Sequence, residues 1–138
     1  MRRALNINRV KDLLRPNIRF INRQKSSGTR LLLDTILANE GINPKEIKGY
    51  AHEEFTHSAI ATSILAKKAD VGMGVKSVAL ENALDFIKLK DEIFFLAMSD
   101  KLASNKDVAK LIRRIRQLSM NAPGYKPIIL KRDIDGWI

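Results

Sequence analysis

A chain of 138 residues with no cysteine is long enough for one sizeable core, and it excludes disulfides, thiolate metal sites and cysteine nucleophiles together. Its net charge of +10 is concentrated at the ends: residues 1–30 hold nine Lys or Arg against one acid, residues 31–100 seven against eleven, and residues 101–138 nine against three. No stretch approaches the ~18 uninterrupted apolar residues of a membrane span, and the basic start Met1–Arg9 lacks the apolar run of a signal peptide, so a cytoplasmic protein with no membrane partner is expected.

In chain order, Asn8–Leu14 reads as a short helix that Pro16 stops, because proline disfavours helix for the residue before it. Ile18–Ile21 is the first strand. After the polar turn 22–30 a helix runs to Asn39 or Glu40, with Gly41 as its left-handed cap and Asn43-Pro44 as the turn beyond. Ile47–Tyr50 is a brief strand, a second helix begins near Thr56 with Ile60, Ile64 and Leu65 on one face, and Val71–Val75 is a strand containing glycine. Ser77–Leu84 is a third helix and Asp85–Leu89 a further strand. The alternation predicts an α/β fold with a mostly parallel sheet and helices on both faces. Glu92–Met98 is apolar enough to predict a strand covered on both faces. Ser104 and Asp107 then carry a capping-box signal for a helix through about Met120, whose stripe Val108, Leu111, Ile112, Ile115 and Leu118 opposes Lys110, Arg113, Arg114 and Arg116. Asn121–Tyr125 breaks it, and the tail ends at Ile134–Ile138.

The junction of the first strand and its helix carries the chemistry. Ser27, Gly28 and Thr29 open the helix, where backbone N–H groups have no intrahelical partner and the helix dipole is positive. Hydroxyls of Ser26, Ser27 and Thr29 add donors, Gly28 permits close backbone approach, and Arg23 or Arg30 can close a charge-assisted contact on an anion. The same residues also serve as an ordinary helix cap, for which Ser26 or Ser27 suffices.

The run Arg19–Asp34 resembles the central motif of the periplasmic-binding-protein-like (type II) domain that accompanies molybdopterin biosynthesis proteins and molybdate- or tungstate-linked regulators. Ile47–Tyr50, Glu53–His57, Ala69–Val75 and Leu84–Ile87 follow in that family's order. The resemblance implies a single lobe over about residues 8–92, then a crossover strand and C-terminal helical segment over about 93–138, within one domain of residues 1–138. It also implies a first lobe ahead of this stretch, which Met1 leaves little room for. From it follow an expected ligand, a small tetrahedral oxyanion (molybdate, tungstate, phosphate or sulfate), and an expected role as a cytoplasmic sensor or handling module of molybdenum-cofactor metabolism. The ligand-binding residues would be Arg23, Ser26, Ser27, Gly28, Thr29 and Arg30, with Thr56 and His57 from the second helix start. A homodimer, or a separate chain supplying the first lobe, is the expected protein partner.

Other constellations are poorer. His52, Glu53, Glu54 and His57 lack the one-face spacing of a helical metal site, so no metal and no cofactor are expected. Asp70–Gly74 does not complete a dinucleotide-binding glycine pattern and reads as a strand end beside a cleft. No triad accompanies Ser26 or Ser27, so no catalytic residue and no enzyme are expected. Hydrogen phosphate, unlike molybdate or tungstate, needs an acceptor for its proton, and Glu53 and Glu54 are the candidates. The basic ends allow the competing reading of a nucleic-acid-associated or protein-interaction module without a small ligand, although no nucleic-acid motif accompanies the charge.

Overall fold

The computed structural model describes residues 5–94 and 96–126, which fall into two compact units, Met1–Asp91 and Glu92–Ile138. The first unit is built on three parallel strands in the order β2-β1-β3: β1 (Phe20–Arg23), β2 (Glu53–Glu54) and β3 (Val71–Gly72). Between β1 and β2 runs helix α1 (Gly28–Asn39); between β2 and β3 runs α2 (His57–Leu65); α3 (Lys76–Glu81) follows β3. Because β1 lies in the middle, the chain moves one way along the sheet from β1 to β2 and the other way from β2 across β1 to β3, and the helices of the two connections pack on opposite faces.

The alternation along β1 shows this directly. Phe20 is buried with Leu33 and Leu37 of α1, together with Val10, Leu13, Ile18, Ile42 and Ile47, whereas its neighbour Ile21 is buried with Ile60 of α2 and Ala69. Each such side chain withdrawn from water contributes about 1.5–3 kcal/mol, so the α1 face holds the larger share of the core. Around the base of the sheet, Arg19 clamps β1 to the start of β3: its Nε and Nη2 donate to the two oxygens of Asp70 at 2.9 and 2.8 Å, and its backbone N–H donates to the same carboxylate at 2.9 Å. These bonds to Arg19 hold the Asp70 carboxyl below the usual carboxylate range.

Several expected elements differ. Val10–Leu14 is a 3-10 helix, whose Asp12 carboxylate accepts the N–H groups of Asn8 and Arg9 at 2.8 and 3.1 Å. Ile47–Tyr50 is a turn rather than a strand, because Gly49 takes φ +94° and its Cα passes so close to Phe20 that an added Cβ would stand 2.0 Å from the Phe20 carbonyl oxygen. The backbone of β1 nevertheless uses this segment: Phe20, Asn22 and Gln24 donate to the carbonyls of Lys48, His52 and Glu54. Helix α3 stops at Glu81, beyond which Ala83 adopts φ +51°. Asp85–Leu89 is irregular and exposed, and among the described residues no strand lies beside it to pair with.

In the second unit, the described residues of Glu92–Met98 form no strand, and Ile93, Phe94 and Leu96 are exposed instead of covered; Phe95 lies outside the described residues. A short helix α4 (Asp100–Ala103) precedes α5 (Lys106–Asn121). Asn105, not Ser104, caps α5, its Oδ1 accepting from the N–H groups of Asp107 and Val108. Along the apolar stripe of α5, Leu111, Ile115 and Leu118 are exposed, and Val108 and Ile112 half-buried. The rings of Phe94 and Tyr125 lie 6.5 Å apart. The basic start Met1–Ala4 and the tail Ile134–Ile138 lie outside the described residues.

Candidate functional site

The carboxyl ends of the three strands place the ends of β1, β2 and β3 beside the starts of α1, α2 and α3, and in an open parallel sheet a crevice forms where successive connections diverge. Here that divergence lies at β1, between the turn 24–27 and the segment 73–75.

Ser27 is the N-cap of α1, its hydroxyl oxygen accepting the N–H of Arg30 at 3.1 Å. That leaves Gly28 and Thr29 as the first helical residues, whose N–H groups lack an intrahelical acceptor. Ser26 is exposed and Thr29 half-buried, and neither hydroxyl bonds to another described residue. An added Cβ on Gly28 would meet nothing within 4 Å, so its backbone is open to approach from outside. At the start of α2, Thr56 repeats the cap, accepting from the N–H of Ala59 at 3.0 Å.

Arg23 and His57 tie the end of β1 to the start of α2. Arg23 ends β1 with its side chain buried. Its Nη2 donates to the Phe55 carbonyl at 3.0 Å, its Nε donates to Gln24 Oε1 at 3.3 Å, and its Nη1 stands 3.0 Å from Nδ1 and 2.9 Å from Nε2 of His57. The Phe55 carbonyl and the Gln24 amide oxygen are neutral acceptors, and a neutral His57 offers one more through its unprotonated nitrogen; among the described residues Arg23 forms no ion pair. Burial, and then the neighbouring Arg23 charge, push the His57 pKa below the ordinary histidine value. Gly74, beyond β3, approaches the same ring: a Cβ there would lie 3.6 Å from Nδ1.

Arg30 is not part of this cluster's free charge. Although it belongs to the same turn, its buried guanidinium is turned to the α1 side of the sheet, where Nε donates to Asp34 at 3.0 Å and Nη1 to Glu53 at 2.8 Å. It also lies over the Tyr50 ring, 4.3 Å from the centroid, and Nη1 reaches the Arg23 carbonyl at 3.3 Å. The Tyr50 hydroxyl donates to Asp34 at 2.5 Å, and burial together with this bond raises the phenol's pKa. Burial opposes the charged form of Arg30, yet hydrogen bonds to its neighbours outweigh that and hold its pKa above the usual arginine value. The expected contact of Arg30 with an anion is therefore replaced by an internal network tying α1 to β2. Its one sequence signal was the i, i+4 pair Arg30 and Asp34 on a helix.

Glu53 and Glu54 are consecutive strand residues and so face opposite sides of the sheet. Glu53 meets Arg30, and Glu54 Oε1 accepts from the Ser63 hydroxyl at 3.2 Å. Among the described residues, no group of three or more His, Asp or Glu side chains is placed to share a metal ion.

A family model described as the PBP superfamily domain matches residues 1–116. The chain belongs to that superfamily. The three-stranded parallel sheet with helices on both faces is consistent with one of its lobes. A Bacillus subtilis (strain 168) protein carrying the name "Uncharacterized protein YvgK" is 37% identical over 121 residues, 88% of this chain and 37% of that protein. A Clostridium pasteurianum protein named "Uncharacterized protein in ferredoxin 2Fe-2S gene 5'region" is 34% identical over 86 residues, 62% of this chain and 75% of that one. The chain thus spans little more than a third of the Bacillus relative's length. No solved structure matches it. Among the described residues no helix is long and apolar enough to cross a membrane.

Proposed function

We propose that the first unit binds a small tetrahedral oxyanion, molybdate or tungstate fitting best, between the starts of α1 and α2. Membership of a ligand-binding superfamily supports the general reading. The observation that carries the finer one is Arg23: a buried guanidinium at the end of β1 whose partners, Gln24, Phe55 and His57 at the start of α2, are all neutral, on the strand whose turn leads into Gly28 and Thr29 of α1. A buried cation of this kind gains from an anion that a paired one such as Arg30 does not need. The ligand class follows from the donors: Ser26 and Thr29 hydroxyls, helix-start N–H groups and Arg23. Both carboxylates that would accept the proton of hydrogen phosphate are engaged elsewhere, Glu53 on Arg30 and Glu54 on Ser63, which favours fully deprotonated anions.

In this reading the protein is a non-enzymatic sensor or handling module in the cytoplasm, linked to molybdenum-cofactor metabolism as the sequence resemblance implies. Isothermal titration of molybdate, tungstate, sulfate and phosphate into the purified chain tests it. Tungstate and molybdate should bind ahead of phosphate, and Thr29→Ala should weaken them. Equal absence of heat for all four anions at millimolar concentration would overturn the reading.

A further inference from the structure

The contact between Arg23 and His57 has a chemical requirement of its own. Guanidinium nitrogens only donate hydrogen bonds. An imidazole nitrogen can receive one only through an unprotonated lone pair, and a fully protonated ring has none. Arg23 Nη1 stands 3.0 and 2.9 Å from the two ring nitrogens, and a neutral His57 can accept from it through its one unprotonated nitrogen, the other carrying the ring proton. In that pairing Arg23 and His57 carry one positive charge between them where two are available.

The surroundings leave this pairing undisturbed. His57 is the one ionisable residue of α2. From β1 the charged group facing it is Arg23. Of the β2 carboxylates, Glu53 lies on the opposite face with Arg30, whereas Glu54 stands opposite Arg23 in the ladder on the α2 face, accepts from the Ser63 hydroxyl and forms no ion pair with Arg23; Asp70, ahead of β3, is held by Arg19. The segment beyond β3 presents Gly74 to the ring, and α3 brings Lys76 and Glu81, neither of which bonds or pairs with His57.

We propose, resting on the oxyanion reading above, that ligand binding here is coupled to proton uptake by His57, and that this coupling selects dianions. Anion oxygens take over the Arg23 N–H groups. The ring nitrogen so released accepts a proton from solvent, forming an N–H bond with no other covalent bond broken, and the resulting imidazolium donates to the same anion. The bound site presents two full positive charges to a ligand carrying two negative ones. A monoanion of the same tetrahedral shape supports only one of them.

The test is calorimetric titration of tungstate into the full chain at neutral pH in two buffers of different ionisation enthalpy, with the His57 ring followed by NMR and assigned against His52→Gln. The expected result is a buffer-dependent heat corresponding to close to one proton per anion, since a ring with a depressed pKa starts unprotonated. The His57 carbon and nitrogen shifts should move to the imidazolium range on saturation. A His57→Gln variant, which keeps an N–H donor but cannot titrate, should bind with the same heat in both buffers and about tenfold more weakly. Its preference for sulfate over perchlorate should narrow by the same factor. Wild-type binding with equal heats in the two buffers and an unmoved His57 would overturn the proton coupling while leaving the oxyanion site standing. No binding of tungstate by the wild-type chain would overturn the site and the coupling together.

Discussion

Two arginines of one turn should fail in opposite ways, and exchanging each for methionine separates them. Arg30 is buried against the partly exposed carboxylates of Asp34 and Glu53, 40% and 28% exposed, and stacks on Tyr50. Breaking a fully buried ion pair costs about 3–5 kcal/mol, but both carboxylates can rehydrate, which discounts that range substantially. The lost stacking on Tyr50 adds roughly 0.5–2 kcal/mol, so Arg30→Met should lower stability by about 2–3 kcal/mol. For a unit of this size that is roughly 8–24 °C in midpoint, readable by thermal unfolding with far-UV and near-UV circular dichroism. Arg23→Met removes a buried charge whose partners are neutral, so its stability should stay within about 1 kcal/mol of wild type. The same change should cost tungstate about 1.5–3 kcal/mol of binding, a loss of roughly 10- to 150-fold by calorimetry. If Arg30→Met melts at the wild-type temperature, or Arg23→Met melts as early as Arg30→Met is expected to, the division of labour between the two is wrong.

Gly49→Ala sets a Cβ 2.0 Å from the Phe20 carbonyl oxygen at φ +94°, where the nearest atoms are Phe20 backbone rather than a flexible side chain, so it should destabilise by more than ~3 kcal/mol in urea unfolding; Gly28→Ala, with nothing within 4 Å, should be neutral or slightly stabilising. The Asp70 carboxyl is held below its ordinary value by Arg19, so its contribution is full above the unfolded carboxylate pKa near ~3.9 and is lost as pH falls through the folded value; Arg19→Met should flatten the acid limb of a stability-against-pH curve, and an unchanged limb would refute the clamp. The His57 pKa is also lowered on folding, so stability should decline as pH falls below the unfolded histidine value of ~6.5, and His57→Gln should abolish that decline in the same titration. The exposed stripe of α5 should drive self-association, detected by light scattering at micromolar concentration and relieved by Leu111→Glu with Ile115→Glu; a folded wild-type monomer that binds no hydrophobic dye would count against it.

Where the sequence was legible, local chemistry and tertiary packing agreed. The segment around β1 and the helices α1 and α2 could be read because apolar period, caps and breakers coincide: Ser27 and Thr56 cap, and Gly41 takes φ +65° just beyond α1. Strands failed where pairing decides. Asp85–Leu89 and Glu92–Met98 have strand-like composition, but strand propensity expresses packing against a neighbour, and the described residues offer them none. Ile47–Tyr50 failed through one residue, since Gly49 turns the chain across Phe20 before the ladder to β1 resumes at Glu53. The carboxylates showed the same limit, because only the alternation of β2 sends Glu53 to Arg30 and Glu54 to Ser63.

Which arginine of the turn stays available was likewise a tertiary decision, and it explains why the site has the charge it has. Residues 23 and 30 are seven apart in sequence, and both are buried at the carboxyl end of the sheet. One faces α1, where Asp34 lies one helical turn away and Tyr50 supplies a flat ring; the other faces α2, where the nearest side chain is an imidazole. Had an acid stood at position 57, Arg23 would be neutralised as Arg30 is, and the edge would offer an anion only dipoles and hydroxyls. A histidine there keeps the guanidinium hydrogen-bonded without cancelling its charge. On the oxyanion reading proposed above, affinity for the anion and stability of the unit rest on different arginines, so that substitution of His57 by aspartate should raise stability and abolish tungstate binding in one step. A His57→Asp chain that still bound tungstate at wild-type strength would show that the charge of Arg23 is not what the anion meets.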